Sequence, residues 1–269
     1  MNFDQALTYI SQNEEFEMPR GWGQGRTVFG GFVAALLMAR AQLVLGDAER
    51  KPLSASFTFV GPVQHQTSKI TVEVLREGGS VTTLEARLWQ NDQVQTIMVA
   101  SFGKARQSAV SIDRLPTSPH FPERSTLAKM PYVKGMIPEC FQHYDLYWAE
   151  GSMPFQAGAS ADFGGWFRFK PEVSQMAMQA AHLIALADIW PPGVTAVCDT
   201  PSPANSLTWH LTFVGDDNLE SNVLKSNAWL QYREHTEYAQ HGYATEQAQI
   251  WDDTGNLLLL SRQTVTVFA

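Results

Sequence analysis

The tetrapeptide Thr-Phe-Val-Gly occurs twice, at 58–61 and 212–215, each time within a run of alternating apolar and polar residues, PLSASFTFVGPV and SLTWHLTFVGDD. Such alternation predicts a strand with one buried face. A second matched pair follows in the same order: EARLWQNDQVQTIMVASFG from Glu85 and QAQIWDDTGNLLLLSRQTV from Gln247. Each reads strand, tryptophan, polar turn, apolar strand, with Trp89 answering Trp251 and Ser101 answering Ser261. Ahead of each tetrapeptide stands an apolar, Ala-rich helix, over 30–46 in the first half and within SQMAMQAAHLIALADIWPPG, 174–193, in the second, where a proline pair ends it. The order helix then four strands therefore occurs twice. That repetition restricts the chain to folds built from two like units.

One such unit leaves an apolar sheet edge or face uncovered, so the two copies are expected to form one continuous antiparallel sheet wrapped around both helices, an α+β architecture. The predicted division is a first unit over 1–108, a connecting segment over 109–142 that is rich in proline and poor in periodicity, and a second unit over 143–269. The helix over 30–46 is apolar on nearly every face, as burial by an enclosing sheet requires. Arg40 and Gln42 interrupt it, and it falls short of the roughly 20 apolar residues that a bilayer needs. Its first residues, Gly30 and Gly31, would leave backbone N–H groups open to a ligand oxygen at the positive end of the helix dipole; an ordinary helix start is the other reading.

Composition narrows the function. Of 269 residues 44% are hydrophobic, 15 are Phe and 8 are Trp, enough for a large core. A formal net charge of -8 argues against nucleic acid as a partner. Cys140 and Cys198 lack metal-ligand spacing and are read as reduced thiols. The N-terminal residues lack the basic start and apolar stretch of a secretion signal, so a cytoplasmic location is expected. No Gly-x-Ser-x-Gly elbow, phosphate-binding loop or paired His and carboxylate spacing appears, which disfavours serine hydrolase, nucleotide hydrolase and zinc chemistry. His182 and His210 read as core histidines with satisfied hydrogen bonds. Asp188 ends the second helix next to apolar residues, where a carboxylate either reaches water or has a task. Gln263 interrupts the last strand and faces either solvent or the interior.

The stretches RTVFGGFVAALLMARAQ, SASFTFVGPV, LADIWPPG, SLTWHLTF and LLSRQTVTV resemble the acyl-CoA thioesterase II family, whose fold is a tandem double hotdog. The resemblance implies an acyl-CoA partner hydrolysed to fatty acid and free CoA by an activated water, without metal or cofactor, and a homo-oligomer. It implies catalytic roles for Asp188, Gln263 and a hydroxyl that falls on Ser202, with Thr200 or Ser206 as alternatives, and substrate contacts at Gly30, Gly31 and Phe32. Phe32 departs from the polar residue common at its position, which bears on the pocket floor. Arg26, Arg168, Lys170 and Arg262 are candidate cations for CoA. The rival readings are a hotdog protein that binds acyl-CoA without cleaving it and an enoyl-thioester hydratase. The second is disfavoured because Gly193, not His, stands five residues beyond Asp188.

Overall fold

The computed structural model describes residues 1–214 and 224–269, so Gly215, Asp216 and Asp217 at the end of the second repeat motif lie outside the described residues. Helix α1 (Phe3–Gln12) and strand β1 (Glu15–Glu17) come first, then a small hairpin of β2 (Gly23–Gln24) and β3 (Thr27–Val28) that feeds helix α2 (Gly30–Leu45). Strands β4 (Lys51–Phe59), β5 (Thr67–Glu77), β6 (Val81–Gln90) and β7 (Gln93–Gly103) complete the first half. The second half holds β8 (Tyr144–Gly151), β9 (Phe163–Phe169), α3 (Ala180–Ala187), β10 (Ala204–Phe213), β11 (Leu230–Gln240), β12 (Tyr243–Asp252) and β13 (Leu257–Val267). Among the described residues no helix is long and apolar enough to cross a membrane.

Eleven strands form one sheet in the order β1-β5-β6-β7-β4-β10-β13-β12-β11-β9-β8. The halves join where β4 meets β10. Repeat alignment equates Ser54, Ala55, Ser56, Phe57 and Thr58 with Thr208, Trp209, His210, Leu211 and Thr212. In the sheet Ser56 lies opposite its own counterpart His210, while Ala55 faces Leu211, Phe57 faces Trp209, Ser54 faces Thr212 and Thr58 faces Thr208. That exchange is what a local two-fold axis through Ser56 and His210 produces. Ser56 Oγ and His210 Nδ1 are 2.8 Å apart on the outer face, so His210 is exposed and not the core histidine expected from its strand. On the inner face Phe57 and Trp209 pack with ring centroids 5.4 Å apart.

Helix α2 runs almost as expected and ends at Gly46, which adopts φ 63° as a left-handed cap. Its buried positions run almost without a break from Gly31 to Met38, the consequence of lying between α3 and the enclosing sheet. The helix expected over 174–193 is shorter. Residues 176–178 are drawn into extended pairing with 224–226 through Met178 N–H to Leu224 O and Ser226 N–H to Met176 O. At its other end Pro191 disfavours helical geometry at Trp190, and neither proline can donate a backbone bond. The connection lies against the sheet, held by Trp251 Nε1 on Pro116 O and Trp166 Nε1 on Pro122 O, both at 3.1 Å. The Arg124 guanidinium sits over the rings of Trp166 and Trp229 at 4.7 and 4.9 Å.

Helix α1 reaches across to the second half. Asp4 accepts from Ser174 Oγ, from Gln175 N–H at 3.0 Å and from His182 Nε2 at 3.2 Å, and His182 is wholly buried, as its sequence reading anticipated. The ring's Nδ1 accepts the Gln179 N–H at 3.2 Å, which leaves the proton on Nε2 for Asp4. Burial pushes the Asp4 carboxyl up, but bonds from His182, Ser174 and Gln175 outweigh it and hold the group at about 2. The depressed value means stabilisation above the unfolded-state pKa that fades as the pH falls towards 2. Asp4→Asn should therefore lower unfolding free energy by on the order of 1–2 kcal/mol at pH 7, after discounting for partial solvent screening. Urea titrations should show a smaller deficit at pH 3 than at pH 7.

Candidate active site

The N-cap of α2 is Phe29, which offers no side-chain hydrogen bond to the first turn. The first bond from this turn to a carbonyl is Val33 N–H to Phe29 O, so the amides of Gly30, Gly31 and Phe32 have no carbonyl partner within the helix. The cap comes instead from the other half of the chain. Asp188 terminates α3 with φ -95° and ψ -1°, and its carboxylate receives the Gly31 N–H. The glycines permit this approach: a Cβ at Gly30 would lie 3.1 Å from Asp188 Oδ2, and one at Gly31 would lie 2.6 Å from Asp188 Cβ and 2.7 Å from Phe29 Cζ. Phe29 and Phe59 wall the glycine pair. An aromatic at an N-cap, where Ser, Thr, Asp or Asn is favoured, was the sequence signal that the cap lay elsewhere.

Gln263, on β13, joins from the sheet. Its Nε2 donates to Asp188 Oδ1 at 3.0 Å, and its Oε1 accepts the Ser206 hydroxyl at 2.9 Å. An ionised carboxylate only accepts, so the amide nitrogen must face Asp188, and the serine fixes that orientation from behind. Ser206 reaches the inner face because of a bulge. Ser206 lies opposite Val265 and Thr208 opposite Thr264, so Leu207 is an extra residue that inverts the alternation of β10. Asp188, Gln263, Ser206 and Gly30 all keep intermediate exposure among buried neighbours, so a water-sized molecule can touch them. Protein nevertheless surrounds the carboxyl. This burial raises Asp188 to about 7, against the opposing bonds from Gln263 and Gly31.

Residues 18–103 match the acyl-CoA thioesterase N-terminal domain, and residues 113–267 match the acyl-CoA thioesterase C-terminal domain. The chain belongs to the acyl-CoA thioesterase family. Its fold is the double hotdog. A conserved hot dog fold protein of unknown function from Alicyclobacillus acidocaldarius superposes with a TM-score of 0.80 at 22% identity, covering 95% of this chain and 92% of that one. An acyl-CoA thioesterase II from Mycobacterium marinum gives 0.70 at 20% identity and 98% coverage of each chain. No curated protein gave a sequence match.

Of the residues singled out for this thioesterase, Asp188, Gln263, Gly30 and Gly31 meet in one place. Ser202 does not join them: its hydroxyl donates to Thr200 O at 3.1 Å, and Ser206 holds the glutamine instead. Phe32 is wholly buried, stacked on Trp22 at 4.4 Å, and belongs to the core packing behind the glycines. Arg168 is engaged by Asp145 and the Trp229 ring, Lys170 by Gln142 O and Arg262 by Glu237. Both cysteines are free thiols, and burial together with the nearby Asp188 charge pushes the Cys140 thiol far up, so it is no competing nucleophile at neutral pH. The raised Asp188 value destabilises the fold once pH exceeds the unfolded-state value near 3.9 and reaches its full effect above about 7. Asp188→Asn should therefore be more stable than wild type at pH 8, by on the order of 2–4 kcal/mol in unfolding free energy, and show no such gain at pH 4. Paired thermal melts check this.

Proposed function

We propose that this family member hydrolyses fatty acyl-CoA by direct attack of a water activated at Asp188. The observation that carries the reading is the meeting of a second-half carboxylate and amide with the first turn of a first-half helix, where the carboxylate takes the Gly31 N–H. The thioester carbonyl oxygen docks at the amide-rich end of α2 beside Asp188, where the Gly30 N–H is not taken by a helix carbonyl and where the helix dipole stabilises negative charge as it develops. Asp188 takes the proton from water as the oxygen attacks the carbonyl carbon. Gln263 holds the carboxylate, and through it the water, in line with that carbon. The tetrahedral intermediate then expels CoA as thiolate. Ser206 acts on Gln263 and is a positioning residue.

Burial that raises Asp188 to about 7 supports this role, because a base that titrates near the operating pH combines a useful ionised fraction with proton affinity. The rate should fall about tenfold per pH unit below that value, since only the ionised form accepts the proton. Asp188→Asn should lower kcat by about 10² to 10⁴ while acyl-CoA still binds. Ser206→Ala should lower kcat by about tenfold and Ser202→Ala should leave it within twofold, reversing the order expected from the family spacing. Release of CoA thiol from substrates of graded chain length, followed with a thiol reagent, measures all of these. Thermal stabilisation by acyl-CoA with no thiol released at any chain length would instead establish the protein as a binder.

A further inference from the structure

The inner face of the sheet carries two more acids in an otherwise apolar setting. Glu234 on β11 and Glu246 on β12 are 3% and 4% exposed, and their carboxyls converge on the adjacent backbone amides of Gly193 and Val194. Two carboxyl groups brought together away from water repel each other when both are ionised, and a proton between them relieves that repulsion. Glu234 also accepts the Gly193 N–H and, at 2.7 Å, the Tyr232 hydroxyl; Glu246 accepts the Val194 N–H at 3.0 Å. Gly193 is obligatory here, since any Cβ would collide with Glu234 Oε1 and Ala161 O.

The pair touches the active site on two sides. Gly193 and Val194 open the 3-10 helix Gly193–Val197 that follows the turn from Asp188 to Pro192, and Trp190 within that turn stacks on Tyr232 at 5.1 Å and 8°. Glu246 is also the cross-strand partner of Gln263. Ser206, Gln263, Glu246 and Glu234 thus form a polar row across β10, β13, β12 and β11. We propose that Glu234 and Glu246 share one proton and thereby clamp the Asp188 turn, which makes them positioning residues for the hydrolysis proposed above.

Among the described residues no salt bridge reaches either glutamate to sustain a pair of carboxylates. On β11 Arg233 is held by Glu150 and His235 by Asp162; on the far side of the sheet Arg262 is held by Glu237. The groups that do face the pair are the Tyr232 hydroxyl, the Thr236 hydroxyl, which has no partner among the described residues, and the Gly193 and Val194 amides. Burial and mutual repulsion hold Glu234 well above the ordinary carboxylate range, and burial raises Glu246. Loss of the shared proton at alkaline pH leaves two carboxylates in contact, so the turn opens and Asp188 leaves its register.

Two variants test this. In Glu246→Gln the amide nitrogen donates permanently to Glu234 while its oxygen keeps the Val194 N–H; kcat at pH 7 should stay within about twofold of wild type, and the alkaline decline of the wild-type profile should vanish. Glu246→Leu removes both bonds, and kcat should fall about 10- to 100-fold with KM changed less than threefold, as expected for a misplaced base. Separately from activity, ¹³C NMR of the Asp188 carboxyl should show its titration unchanged in Glu246→Gln and lowered towards the ordinary carboxylate range in Glu246→Leu. A wild-type profile without an alkaline limb, identical limbs in wild type and Glu246→Gln, or wild-type kcat and Asp188 titration in Glu246→Leu would overturn the clamp. A wild type inactive towards every thioester would overturn the proposed hydrolysis instead, and the Asp188 titration would still decide the clamp.

Discussion

The antiparallel pairing of β4 with β10 is the interaction on which the rest of the molecule depends. Because Ser56 meets its own repeat counterpart His210, the two half-sheets are related by rotation through the junction, and the helices they enclose lie side by side. The start of α2 then meets the end of α3. That contact joins unlike chemistry: free backbone amides from one half and a carboxylate from the other. Neither unit could assemble the site alone, since the glycines open the helix that precedes β4 in the first half and Asp188 and Gln263 belong to the second.

A two-fold axis offers two such meetings, and the sequence has furnished only one with polar groups. Counted from the first helical residue, Asp188 is the ninth of the second half, and the ninth of the first half is Met38, wholly buried. The repeat that aligns Ser101 with Ser261 aligns Gly103 with Gln263. At the start of α3, Ala181 stands where Gly31 stands in α2. This second end is closed by α1, whose Asp4 binds His182 and whose Phe3 packs on His182 and Phe169. Of the two ends that the pseudo-symmetry relates, one carries the polar site and the other is packed core.

Much of this was readable before any coordinates. Residue alternation and the matched tryptophans gave the repeated unit, and the nearly unbroken apolar surface of 30–46 already demanded an enclosing sheet. What escaped was whatever depended on register. Ser202 has a family spacing in its favour, but it precedes β10 and donates to Thr200 O, while the extra residue at Leu207 brings Ser206 to the inner face beside Gln263. Pairing of 176–178 with 224–226 shortened α3, a tertiary bond that no helix propensity reports. Glu234 and Glu246 did carry a signal, each standing in phase with apolar residues of its own strand: Leu230 and Tyr232 in one case, Ala244, Ala248 and Ile250 in the other. An acid in the inward phase is a polar group that must find a partner, and here the partner is another acid.

The polar row across the inner face explains why this interior tolerates so many ionisable groups. Each buried oxygen is matched to a donor whose position the fold already determines: Gly31 and Gln263 for Asp188, Gly193 and Tyr232 for Glu234, Val194 for Glu246. Such bonds make burial tolerable without restoring the ordinary affinity for protons, because desolvation still outweighs them at all three carboxyls. The same imbalance has opposite uses in neighbouring places. Under the proposed mechanism it yields at the glycine pair a base that ionises near neutrality and stays within reach of water; one strand away, where water is shut out, the proposed shared proton ties the Asp188 turn to the sheet. Exchange of either environment for the other would lose both properties, so the separation of Asp188 from the glutamate pair by the length of one proline turn is a requirement of the chemistry as much as of the fold.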